Sequence, residues 1–328
     1  EIKKELLKKN IIDNKCISDS RILIECLEHY GMDFLKKIKG MFSIFYFDKK
    51  NKTIFLINDR FGEKPLYYSL SNSDFFFSSD IKSFSFKKRY INKKGLKTFF
   101  SKNCFSYPDT IWEDVERIKP GTYLKFKVNF ENNTISDPSL NHYWSPKIFI
   151  KPFSDSIDKA VDKLDFLLSE VIERQINADV EVGTFLSGGI DSSLITSIAQ
   201  KVSKKKISSF SIGFEDSKFD ESIYAEKIAK HLGTNHRTKI MSKDDINNIF
   251  DTIIDTYGEP YSDSSQIPTI LLSQFSSQYL KVVLTGDGGD ELFGGYDRYT
   301  FVNKIWRYLD FFPLFLRNKI KLLFEYSS

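Results

Sequence analysis

Two hydrophobic periods divide this chain, and the change falls near residue 150. Residues 41–47 are a nearly continuous apolar run, 48–52 read as a turn, and 53–57 are a second run. Residues 66–70 and 75–77 flank a turn at 71–74, and Pro120-Gly121 opens a further hairpin through Tyr123, Leu124 and Phe126. Short runs this apolar predict strands buried on both faces. Ahead of them Ile2, Leu6 and Leu7 fit a helix. Residues 20–30 predict another, with Ile22, Leu23, Cys26 and Leu27 on one stripe.

Past residue 150 helical periods alternate with short apolar strands. Ile157, Val161, Leu164, Leu168 and Ile172 mark a long amphipathic helix. A strand ending at Phe185 leads through a glycine loop to a helix over 191–202, and 207–212 is the next strand. A helix from Asp220 ends at Leu232 with Gly233 as its C-cap. Helices over 243–257 and 265–277 precede a strand at 280–284. This β-α-β-α order predicts an α/β fold with a doubly wound parallel sheet and right-handed crossovers.

The loop is the stretch FLSGGIDSS at 185–193. A strand, a glycine turn and a helix start point amide hydrogens and the positive end of a helix dipole at one place. Ser187, Ser192 and Ser193 add hydroxyl donors. That composite suits phosphates, although it is neither a Walker A loop nor a dinucleotide fingerprint. Asp191 beside phosphates would be repelled without a divalent cation, so the loop points to a nucleotide held with Mg²⁺. The same residues also read as an ordinary serine-glycine turn with Asp191 capping the helix.

A second element, TGDGGDELFGGY at 285–296, follows the last predicted strand. Ligands of open α/β sheets bind beyond the carboxyl ends of the strands. The glycine loop, Ser211-Ile212-Gly213 and this element all lie at such ends. Gly286, Gly288 and Gly289 allow close backbone approach, and Asp287, Asp290 and Glu291 put three carboxylates together. Carboxylates facing a phosphate loop favour a bound cation over a plain polar turn.

Composition narrows the classes. The chain has 328 residues, room for two domains, and its 41% hydrophobic content fits a folded protein rather than a disordered one. A net charge of +4 is too small to argue for nucleic acid, and the clusters at 87–89 and 204–206 read as solvated surface. Cys16, Cys26 and Cys104 have neither disulfide-framework nor zinc spacing. His29, His142, His231 and His236 are scattered, and a structural or solvent-facing role is expected for each. No apolar run reaches transmembrane length and no signal peptide opens the chain, so a cytoplasmic protein without membrane contact is expected. Glu1 stands inside a helical pattern and Ser328 follows an amphipathic segment at 314–323, so both ends read as cut.

The loop at 187–193 resembles the pyrophosphate loop of the ATP pyrophosphatase superfamily. Together with 286–296 it resembles the glutamine-hydrolysing asparagine synthetase family. DRFGEKPLYY at 59–68, FSSDIKS at 77–83 and PGTY at 120–123 resemble that family's N-terminal glutaminase domain, in the family's order. The resemblance implies an α+β glutaminase-like sandwich over 1–150 and an ATP-pyrophosphatase domain over 151–328. Ser187, Gly188, Gly189, Asp191, Ser192 and Ser193 would hold the pyrophosphate of ATP. Phe185, Ile212, Thr285 and Gly286 would contact the nucleotide, partly through backbone. Asp191 and Asp290 would ligate Mg²⁺, Asp287 would act at the acyl-adenylate step, and Asp19 would bind the glutamine amino group.

The implied substrates are ATP, glutamine and a carboxylate, aspartate first, with a homodimer as one expected assembly. Sugar acids and β-lactam precursors are alternative acceptors, and residues 259–266 are expected to line the acceptor pocket. A non-catalytic relative that binds nucleotide as a scaffold is a further alternative. Three features depart from the family. Glu1 is not the N-terminal cysteine nucleophile, so glutaminase activity is not expected of residues 1–328. The Asn-Gly-Glu glutamine-binding stretch is absent, and the helical region carrying a phosphate-contacting lysine would lie past Ser328.

Overall fold

The computed structural model describes residues 2–9, 11–13, 18–71, 74–84, 89–146, 154–215, 220–250, 252–314 and 316–317. Cys16, turn residues 72–73, basic residues 87–88 and residues 318–323 of the predicted C-terminal segment lie outside them. The chain forms two compact units, 1–151 with 251–264, and 152–250 with 265–328.

In the first unit the predicted apolar runs become strands β1 (Ser43–Asp48), β2 (Thr53–Asn58), β3 (Tyr67–Ser71) and β4 (Asp74–Ser78). β5 (Glu116–Arg117), β6 (Thr122–Asn129), β7 (Thr134–Ile135) and β8 (Ser139–His142) complete two antiparallel sheets, one of β1-β2-β6 with β7 and β8, the other β4-β3-β5. Ile54, Leu56, Leu124 and Phe126 meet Leu66, Tyr68 and Ile118 between the sheets. The opposite face of β2, Phe55 and Ile57, packs with Leu27 of α2 (Asp19–Tyr30), which follows α1 (Ile2–Lys8). On the far side of the second sheet Tyr67, Phe84 and Phe105 pack with Leu96 and Phe99 of α3 (Lys93–Lys102). The order is helix, sheet, sheet, helix, the expected sandwich. β2 is buried throughout, as its composition predicts. β1 is not, because it is an edge strand among the described residues, and Phe45 remains 41% exposed.

A buried polar hub orders this unit's main loop. Asp59 is fully buried, and its carboxylate accepts the backbone N–H groups of Phe42, Phe61, Gly62, Glu63 and Lys64 at 2.7–3.2 Å. A carboxylate with that many donors is satisfied without a counter-ion. The DRFGEK segment is therefore folded by its own aspartate.

The second unit opens with α4 (Ile157–Ile176), then β9 (Val182–Phe185), α5 (Ile190–Val202), β10 (Ser208–Phe214), α6 (Ser222–Leu232) and β11 (Asn235–Met241). α7 (Lys243–Phe250), α9 (Gln266–Ser277), β12 (Val282–Leu284), α10 (Gly289–Phe293) and α11 (Asp297–Leu309) follow, and α8 (Ile253–Tyr257) lies in the first unit. The sheet is wholly parallel, in the order β11-β10-β9-β12. Thr184 of β9 bonds Thr196 of α5 on one face, while Phe210 of β10 packs edge-to-face with Phe275 and tilted against Tyr279 on the other. Helices thus cover both faces, the doubly wound architecture. Only the C-terminal half of the predicted α4 stripe is covered. Leu168 and Ile172 pack with Ile198 and Ile207, but Ile157 is 82% exposed.

Two predictions shift. The helix expected over 243–257 is two helices, and residues 251–264 belong to the first unit. There Lys82 Nζ donates to Asp255 O (2.6 Å), and Gly258 takes φ +73° against the Ile81 side chain. Glu259 also faces inward, accepting from Ile111 N (3.1 Å) beside Arg117 (3.8 Å). Its carboxylate is thus occupied within the first unit. No helix among the described residues is long and apolar enough to cross a membrane.

Candidate active site

In the order β11-β10-β9-β12 the chain runs from β9 outward to β11, then returns to place β12 on the other side of β9. Strand order reverses between β9 and β12, and open α/β sheets bind ligands at that switch point. The two glycine-rich elements leave the sheet there. β12 pairs with β9 from Val282↔Val182 through Leu284↔Thr184, and the 185–193 and 285–291 loops follow directly.

Their convergence is atomic. A Cβ on Gly286 would lie 2.8 Å from Ser192 N and 3.1 Å from Asp191 Cβ. A Cβ on Gly289 would lie 2.5 Å from Asp191 Cγ. At Gly286 the close approach is to backbone and requires glycine, whereas at Gly289 a Cβ would displace only the end of the Asp191 side chain. Gly188 has φ +90°, and a Cβ there would meet Tyr224 Cβ of α6 at 2.8 Å.

The loop is braced from within. Ser187 N donates to Ser192 Oγ (3.2 Å), Gly189 N donates to Ser187 Oγ (3.2 Å), and the two serine oxygens are 3.0 Å apart. Ser192 Oγ and Ser193 Oγ both donate back to Gly189 O, at 3.3 and 2.6 Å. The hydroxyls expected to reach phosphate therefore hold the turn in this conformation, and a hydroxyl must rotate to donate outward. The first intrahelical bond of α5 is Ser193 N to Gly189 O. The amides of Ile190, Asp191 and Ser192 precede it and have no helical acceptor, which leaves them for an anion.

The carboxylates separate into roles. Asp191 and Asp290 are half-buried, and neither side chain has a hydrogen-bond or ion-pair partner among the described residues. Asp191 makes no capping bond on α5, whose N-cap is Gly189. Asp287 is exposed and accepts from Thr285 Oγ1 (2.9 Å), and it does not cap α10. Glu291 accepts from Tyr296 OH (2.6 Å), which holds its pKa below the usual carboxylate value and raises that of Tyr296 to about 12. The expected three-carboxylate group is thus not formed, and no metal-ready group of three exists among the described residues. Asp287 precedes α10 while Asp290 and Glu291 are neighbours on it, and Thr285 and Tyr296 engage two of the acids. Phe185, the last residue of β9, and Ile212, two residues before the end of β10, are half-buried. Asp19 is an exposed first residue of α2, in the first unit.

Sequence reasoning missed Tyr224 behind Gly188 and the hydroxyl-imidazole network of β10 and β11. The pattern Ser-x-Ser before His-x-Thr was its only signal.

Residues 163–327 match the family model described as asparagine synthase, half of the chain. The chain belongs to the asparagine synthase family. Residues 1–144 match a glutamine amidotransferase domain. A putative glutamine-hydrolysing asparagine synthetase 2 of Methanocaldococcus jannaschii is 31% identical over 93% of this chain and 60% of its own length. Asparagine synthetase 1 of Bacillus subtilis is 31% identical over 91% of this chain and 46% of its own. Amidase chry2 of Gibberella zeae is 27% identical over 86% of this chain and 44% of its own. The chain therefore spans about half the length of the curated relatives it matches.

Proposed function

We propose that this asparagine synthase family protein amidates a carboxylate at the expense of ATP, through an acyl-adenylate, with aspartate as acceptor and glutamine as nitrogen source. The packing of Gly286 and Gly289 onto Asp191 and Ser192 carries this reading, because it joins the phosphate loop to the acidic loop at the switch point. A carboxylate oxygen attacks the α-phosphorus and the α–β phosphoanhydride bond breaks. The free amides of the 187–193 loop take up the charge of the departing pyrophosphate. Ammonia then adds to the acyl carbon, the bond to AMP breaks, and Asp287 accepts the ammonia proton.

Two unpartnered acidic side chains at a phosphate loop fit Mg²⁺, which favours a few carboxylate oxygens plus phosphates. Asp191 and Asp290 would hold it, and it would supply charge neutralisation of the pyrophosphate. The boundary near residue 150 separates a glutaminase-like domain, where Asp19 takes the glutamine amino group, from the synthetase domain. The enzyme works in the cytoplasm, with a homodimer as the assembly to test.

Pyrophosphate release with ATP, Mg²⁺, aspartate and ammonium chloride tests the reading without needing the glutaminase step. Release that depends on aspartate and vanishes in Asp191→Asn is expected. Normal release from that variant would refute it. A second reading is a different carboxylate acceptor, since the chain is also similar to a relative that is named an amidase and not an asparagine synthetase. Release driven by another carboxylate and not by aspartate would select it.

A further inference from the structure

β11 is a polar strand, Asn-His-Arg-Thr-Lys-Ile-Met, at one edge of the parallel sheet among the described residues. Its register with β10 sets His236 opposite Ser209 and Thr238 opposite Ser211, all on one face. Ser209 Oγ lies 2.9 Å from His236 Nδ1, and Ser211 Oγ lies 3.1 Å from His236 Nε2. Thr238 Oγ1 is 3.1 Å from Nε2 and 3.0 Å from Ser211 Oγ, and Thr234 bonds Ser209 at 2.8 Å. One imidazole therefore bridges two hydroxyls two residues apart on the neighbouring strand. Aliphatic pairs would seal this face without the desolvation of polar groups, but would place no directional bonds between the two strands' side chains. A bidentate bridge fixes β10 along its axis.

That constraint acts where β10 needs it. Pairing with β9 stops at Phe210↔Phe185, while pairing with β11 continues to Phe214↔Met241. The edge of residues 211–213 facing β9 has no strand partner among the described residues, and it stands beside the phosphate loop. Just beyond the bridge, a Cβ on Gly213 would lie 2.7 Å from both Asp220 Oδ1 and Ser222 Oγ, so the start of α6 closes the same face. We propose that His236 is a positioning residue for the adenosine half of the nucleotide, fixing the free edge at 211–213 against which the base rests. This inference rests on the ATP site proposed above. Burial lowers the His236 pKa from the usual 6.5, with Glu226 opposing, so the ring is neutral at pH 7 and offers one donor and one acceptor to the two serines.

Calorimetric titrations with ATP and, separately, with inorganic pyrophosphate test it. His236→Ala is expected to weaken ATP about ten-fold, the scale of a sub-ångström misplacement, and to leave pyrophosphate within two-fold. His236→Gln, which keeps a donor and an acceptor, restores most of the ATP affinity. Ser211→Ala repeats the split with little change of volume and serves if the histidine variants fold poorly. Unchanged ATP binding in His236→Ala and Ser211→Ala, or parallel loss of ATP and pyrophosphate, would overturn the inference. An unsubstituted protein that binds neither ligand would overturn the nucleotide site itself, and this inference with it.

Discussion

Gly289→Ala separates the site from the fold. Gly289 is the first residue of α10 and its φ is ordinary, so alanine meets no backbone penalty there. Alanine is the better helix former, by up to about 1 kcal/mol. The new methyl would nevertheless sit 2.5 Å from Asp191 Cγ. Carbon atoms in contact are about 3.5–4.0 Å apart. The carboxyl group must therefore move by about 1 Å. It can do so cheaply, because it ends a short side chain with no partner to break. A displacement of that size costs on the order of 10²-fold in binding or rate, about 2.7 kcal/mol. The expected result is an unchanged melting temperature with ATP·Mg²⁺ affinity down about 10²-fold by calorimetry. Gly288→Ala is the reciprocal control. It has φ +92° and nothing within 4 Å, so alanine there should cost about 1–2 kcal/mol of stability and leave Asp191 in place. Normal ATP·Mg²⁺ binding by a folded Gly289→Ala protein would refute the reasoning, as would loss of its fold.

Asp59→Asn turns an NH₂ group toward amides that the buried carboxylate accepts. It should destabilise the first unit by about 2–4 kcal/mol in urea unfolding, and a loss under 1 kcal/mol would show that water replaces the hub. Asp287→Asn should leave ATP binding and melting unchanged and lower amide formation about 10²-fold, whereas a fully active variant would remove Asp287 from the chemistry. Because the folded pKa of His236 lies below 6.5, the unfolded chain takes up its proton first as pH falls. Stability should be flat above about pH 6.5, decline below it, and level off under the folded pKa, a decline that thermal melts of His236→Gln should lack.

Much of this architecture is local chemistry and therefore legible in the chain. β2 announces itself by a run with no polar position, since both its faces are covered. The turn at 187–189 needs glycine for φ and for approach, so the composition of the loop carries its geometry. α3 escapes notice because Gly95 interrupts its period. That glycine answers a distant neighbour, Thr110 O, which a Cβ would meet at 2.9 Å. β11 escapes for a related reason, since its inward positions satisfy Ser209 and Ser211 rather than oil.

What the sequence determined by itself is the list of elements with strong periods, their alternation, and the residue types at the two glycine-rich loops. These depend on neighbours within a few positions. Strand order was decided only in three dimensions, and with it the meeting of Gly289 and Asp191 and the assignment of 251–264 to the first unit. So was the division of labour among the acids. Glu291 is drawn to Tyr296 and Asp287 to Thr285, leaving Asp191 and Asp290 without partners among the described residues. A carboxylate's role depends on which donors lie within about 3 Å of it, and that is settled by packing rather than by its position in the chain.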